Sequence, residues 1–144
     1  MDTIFKQIAD AAAAALAGLP EVGGRVFVDL DSAIPPEQQP ALVITPGDDS
    51  STSIDEETYE IRMELQLGIV TNTSEPLASV DVIERAVHER LHGDAQLASL
   101  LAGVITRTQG TRRVLRNTEG LPALRQLTYT CRSYVSACDM ASPV

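Results

Sequence analysis

The chain has 144 residues, 44% of them hydrophobic and 22% charged, with a formal net charge of −9 from 20 acids against 11 basic residues. This length and balance predict one globular domain with a real core, and exclude a disordered or membrane-embedded composition. The acidic total also argues against general nucleic-acid binding, which needs a basic footprint.

Phe5, Ile8, Ala12, Leu16 and Leu19 recur at helical spacing, so residues 3–18 are expected to form an amphipathic helix, closed by Gly18 and Pro20. Its alanine run has high helix propensity, and the segment lacks the basic start of a signal peptide. It is therefore read as a structural helix of a cytosolic protein. "RVFVDL" (residues 25–30) predicts a short strand, the proline-rich "IPPEQQP" a loop, and "ALVIT" (residues 41–45) a second strand. "PGDDSSTSIDEET" shows no periodicity and many turn formers, and is expected to be a mobile loop.

The strongest signal follows. Tyr59, Ile61, Met63, Leu65, Leu67 and Ile69 alternate with Glu60, Arg62, Glu64 and Gln66, which predicts a long strand buried on one face and wet on the other. Such alternation suits an antiparallel sheet covered on one side. "TNTSEPLASVDVIERAVHERLHGD" reads as a helix with Thr73 or Ser74 as cap, Pro76 in the first turn and Gly93 as the stop. Asp94 is expected to cap a short helix running to Leu101. Two strands, residues 104–116 and 121–135, follow, joined around Asn117–Gly120, with Gly110 expected to mark a bulge or kink between Arg107 and Arg112–Arg113. Residues 1–135 are thus read as a single α+β domain, and 136–144 as a loose tail. The expected architecture is a two-layer α+β sandwich, with an antiparallel or mixed sheet and helices on one face.

Residues 88–92 match H-E-x-x-H, a spacing that on a helix lets two histidines grip zinc while the glutamate acts as general base. Val80, Ile83, Val87 and Leu91 define the buried stripe of that helix, however. His88 and His92 then fall on its flank and Glu89 on the far side, without an evident third ligand among Asp94, Glu119 and Asp139. The histidines are read as a solvated helix end, and a zinc hydrolase built on His88, Glu89 and His92 stands as a distant alternative. No phosphate-binding glycine loop or nucleophile elbow is present, and no cofactor, metal site or catalysis is expected. Cys131 and Cys138 fit no metal or redox spacing and are read as reduced thiols.

Charge is segregated. Asp48, Asp49, Asp55, Glu56 and Glu57 crowd one segment, with Glu60 and Glu64 just beyond, while Arg107, Arg112, Arg113 and Arg116 crowd another, with Arg125 and Arg132 in the following strand. Complementary patches on one chain suggest pairing between copies, with arginine suited to bidentate carboxylate contacts.

The sequence of elements, with "PALVI" (residues 40–44) before the long strand and "LTYT" (residues 127–130) in the last one, resembles the tail-terminator family of long-tailed bacteriophages, the lambda tail protein U type. The similarity runs from about Thr3 to Val135 and rests on element order rather than on one motif. It implies a non-enzymatic subunit of a homo-oligomeric ring, a hexamer in the family, at the head-proximal end of the virion tail. Such a ring caps the tail tube, stops its polymerisation, and meets the head-side connector or stopper protein. Genomic DNA passes through the lumen without specific binding, and assembly occurs in the host cytoplasm with no membrane involved. Another neck or head-completion ring protein is the nearer alternative. Under this resemblance, Asp48, Asp49, Asp55, Glu56, Glu57, Arg107, Arg112, Arg113 and Arg116 are the candidate subunit and tube contacts. His88, His92 and the segment beyond Ser136 have no counterpart in the family pattern.

Overall fold

The computed structural model describes residues 2–28, 40–72, 76–103, 105–114, 122–136 and 138–143. Helix α1 (Ile4–Ala17) begins where Thr3 caps it by accepting from the Lys6 N–H, and ends at Gly18. Ile4, Ile8, Ala12, Ala15 and Leu16 are its buried stripe, and the small alanines let α1 lie close to its neighbours. Two left-handed glycines, Gly23 and Gly24, then turn the chain into β1 (Val26–Val28).

Strand β1 pairs parallel with β2 (Ala41–Ser53), which runs antiparallel to β3 (Thr58–Asn72). Helix α2 (Pro76–Gly93) starts on Pro76, as a residue lacking an N–H allows. Asp94 caps α3 (Ala95–Leu100), its carboxylate accepting from the Leu97 N–H at 2.8 Å. Strand β4 (Thr106–Val114) pairs with β5 (Pro122–Ser136), and β5 lies against the whole length of β3. The short β6 (Asp139–Pro143) also pairs with β5. The result is a six-stranded mixed sheet with main order β1-β2-β3-β5-β4 and helices packed against it, an α+β fold as the sequence suggested.

The core lies between the sheet and the helices. From β3 it takes Ile61, Met63, Leu65, Leu67 and Ile69, and from α2 it takes Val80, Ile83, Val87 and Leu91, all at the positions that periodicity marks. Tyr129, Cys131 and Val135 of β5 complete the floor. Ser133, buried in that floor, donates to the Leu100 carbonyl at 2.8 Å and so ties the end of α3 to the sheet.

Three local expectations are corrected. The stretch expected to be a mobile loop, "PGDDSSTSIDEET", instead continues β2 to Ser53, and only residues 54–57 turn. Residues 49–53 have no apolar alternation of their own; they are held extended by pairing with the strongly alternating β3. The bulge in β4 does fall within the expected interval, between Arg107 and Gln109, but ahead of Gly110 rather than at it. Thr108 is the extra residue there, and its hydroxyl donates to the Thr128 carbonyl. Finally, the segment expected to be a loose tail carries β6, whose backbone bonds to β5 continue the sheet. The proposed helix caps Thr73 and Ser74, the turn 117–120, most of "IPPEQQP" and Arg116 lie outside the described residues.

Candidate interaction surfaces

The acidic residues singled out in the sequence gather on one flank of the sheet. Strand β1 covers β2 only opposite Leu42–Ile44, so residues 45–53 of β2 have β3 on one side and no strand on the other among the described residues. A bulge between Pro46 and Asp49 interrupts the ladder, and Gly47 within it lies so close to Glu64 that a Cβ there would sit 3.1 Å from the Glu64 Cβ. Residues 48–57 are all exposed. Asp55 is spent on the turn: its carboxylate accepts from the Glu57 N–H at 2.8 Å and its carbonyl from the Ser53 hydroxyl. Asp48, Asp49, Glu56 and Glu57 reach no cationic side chain among the described residues.

The basic residues gather on the opposite flank. Strand β4 has β5 on one side and no strand on the other among the described residues, and it carries Arg107, Arg112 and Arg113. In the register Arg112 stands opposite Arg125 and Arg113 opposite Leu124. Arg107 is committed within the chain: its guanidinium reaches Glu84 on α2 at 2.9 Å. Arg125 meets the same carboxylate from β5, with its Nε 3.2 Å from the second oxygen. Glu84 and Arg125 are only 22% and 17% exposed, so this contact is screened less than a surface pair. Gly110 makes the convergence possible, because a Cβ there would fall 2.6 Å from the Arg107 guanidinium and 2.7 Å from that of Arg125.

Beside this cluster runs an open polar groove of about 570 Å³ between α2 and the β4–β5 flank, lined by Asp81, Glu84, Arg85, His88, Glu89, Arg107 and Arg125. His88 does not simply point into water as its flank position suggested. Its Nδ1 lies 3.2 Å from the hydroxyl of buried Tyr129, while the His92 Nδ1 lies 2.9 Å from the His88 carbonyl. The two imidazoles lie with ring centres 4.2 Å apart, tilted by 38° to each other. Burial raises the Tyr129 phenol to about 12; Arg107 opposes it less strongly, and the nearby Glu84 carboxylate adds the smallest push, upward. Burial likewise pushes the Cys131 thiol up to about 12, so it is an inert core group, whereas Cys138 is exposed. No group of three or more histidine, cysteine or acidic side chains placed to hold a metal ion occurs among the described residues. No helix among them is long and apolar enough to cross a membrane.

Sequence reasoning therefore found both charged segments and the histidines, but missed Glu84, Arg125 and Tyr129 as the groups that organise one flank. A signal did exist. Glu84, His88 and His92 repeat at four-residue spacing directly beside the stripe Val80, Ile83, Val87 and Leu91. Such a polar row bordering the core is positioned to reach polar groups at the rim of the sheet.

No protein-family profile matches the chain, and no curated protein is similar to it in sequence. Among solved structures, it shares its fold with a chain from the virion of a native gene transfer agent particle. The likeness covers 90% of both chains with a TM-score of 0.50 and 18% identity.

Proposed function

We propose that this chain is a structural protein of a phage-like virion, and specifically a tail-terminator subunit. Its work would be self-association into a ring that caps the tail tube, halts tube growth and meets the head-side connector. The observation that carries the reading is the fold shared over nine-tenths of both chains with a component of a gene transfer agent virion. The element order that resembles tail terminators agrees with it, and so do the opposite charges on the two open flanks of the sheet. Contacts that join one flank of a subunit to the other flank of the next are heterologous, and such contacts generate rings when the rotation closes. The acids Asp48, Asp49, Asp55, Glu56 and Glu57 and the arginines Arg107, Arg112, Arg113 and Arg116 are the proposed contact residues. A net charge of −9 suits a conduit that lets duplex DNA pass without holding it.

Native mass spectrometry of the purified chain is expected to show a closed oligomer, a hexamer by the resemblance, and a monomer at every concentration and salt would overturn the reading. Immunogold labelling of purified particles separates the two virion roles. Label at the head-proximal end of free tails supports a tail terminator, while label only on tail-less heads shifts the chain to a neck or head-completion ring protein.

A further inference from the structure

From the two open strand edges we infer that neighbouring copies join by main-chain pairing, the free edge of β2 at residues 48–53 docking on the free edge of β4 of the next copy. The inference rests on the ring reading and adds the mode of contact. Both segments are already extended and already paired on one side only, so each presents a row of backbone donors and acceptors with no strand against it among the described residues. Charges and bulges on such edges usually serve to prevent pairing, and each edge has both. Here the signs differ. A β2 edge against a β2 edge would bring the carboxylates of Asp48 and Asp49 and of their copies to one junction, and β4 against β4 would add like charge in the same way through Arg112 and Arg113. Only β2 against β4 brings opposite charges together, so the devices that forbid like pairs select the unlike one.

Strand direction agrees. Each neighbour along β2-β3-β5-β4 is antiparallel to the last, so β2 and β4 run in opposite directions within one sheet. Copies arranged around an axis running along the strands keep those directions. The β2 edge of one copy then meets the β4 edge of the next in antiparallel order, the more stable ladder. The small side chains Ser50, Ser51, Thr52 and Ser53 leave room for a strand to approach.

The test uses two charge-reversed variants of the full chain, Asp48→Arg with Asp49→Arg and Arg112→Asp with Arg113→Asp, read by native mass spectrometry. Each alone has like charges at the proposed junction and is expected to associate on the order of a hundredfold more weakly than the natural chain. Mixed in equal amounts they are complementary again, and assembly should return with the two variants alternating, in even-numbered oligomers only. Recovery on mixing also shows that both variants are folded. Amide hydrogen exchange of the natural oligomer should in addition show protection of residues 48–53 and of β4 that dilution to monomer removes. Variants that assemble as well as the natural chain, a mixture that stays dissociated, or an oligomer with unprotected edges would each overturn edge pairing while leaving a ring intact. A natural chain that never assembles would instead remove the ring reading itself.

Discussion

Arg107 and Arg125 end their side chains on one half-buried carboxylate, Glu84, while on the opposite flank Asp48 and Asp49 meet no cation among the described residues. The two flanks resemble each other in the sequence as short runs of like charge, yet the fold treats them differently. On the β4–β5 flank part of the charge is used internally, pinning α2 to the sheet and lining a groove. On the β2 flank the charge stays hydrated and adds little to the stability of a single chain. If the proposed ring forms, stability and association rest on different charges, and substitutions should separate them.

The largest effect is expected at the shared acceptor. Glu84→Ala leaves the partly buried Arg125 guanidinium and the more exposed one of Arg107 without their carboxylate and should cost about 2 kcal/mol in urea unfolding. A loss indistinguishable from zero would mean that the cluster is as loosely held as the β2 acids. A comparable effect is expected on the same flank at high pH. The folded value of Tyr129, about 12, lies above the ordinary 10, so the neutral phenol is favoured in the folded state. That stabilisation is complete below pH 10 and is lost as pH rises towards 12, by roughly 2–3 kcal/mol in all. Cys131 adds a parallel loss that begins near pH 9. Urea midpoints between pH 8 and pH 11.5 should therefore fall steeply in the natural chain and less in Tyr129→Phe; parallel curves would show that the phenol titrates alike in the folded and unfolded chain.

Smaller effects sharpen the same contrast. Gly110→Ala should cost about 1 kcal/mol, because the added methyl must push aside the ends of two flexible side chains. Much of that cost should vanish in a Glu84→Ala background, where the guanidiniums are no longer held, and strict additivity in the double-mutant cycle would argue against the crowding account. The smallest change is expected across the sheet. Asp48→Asn with Asp49→Asn should leave the stability of the monomer within about 0.5 kcal/mol of the natural chain. A large loss there would erase the distinction between the flanks.

What could be read from the sequence follows the strength of its periodic signals. Helix α1, helix α2 and strand β3 bury a face against a continuous core, so their apolar residues had to recur at 3.6 or 2.0, and their inward positions were legible one by one. The distal half of β2 faces water at an edge, and nothing constrains "DDSSTS" to alternate; its extended form is imposed by β3. Strand β6 is short and borrows its conformation from β5 in the same way. The charged cluster was illegible for another reason. Glu84 and Arg125 are 41 residues apart, as are His88 and Tyr129, and only the tertiary fold tells which charge meets which. The acids and arginines were therefore found as segments, while the division between those used within the chain and those left at open edges required the strand order.

The pairing of β3 with β5 also has a consequence for how the chain is made. Its partners run from Asn72 with Pro122 to Thr58 with Ser136, so no residue of this central ladder finds its mate within about 50 positions. At ribosomal speeds of about 5–20 residues per second, the β2–β3 hairpin waits several seconds for β5 to be synthesised. Throughout that interval β3 has an unpaired edge, and only the helices are available to cover Ile61, Met63, Leu65, Leu67 and Ile69. The nascent hairpin is thus the stage at which this chain is most open to chaperone capture or to aggregation, and the acids on β2, with Glu60 and Glu64 of β3 itself, are the charges that help keep it in solution.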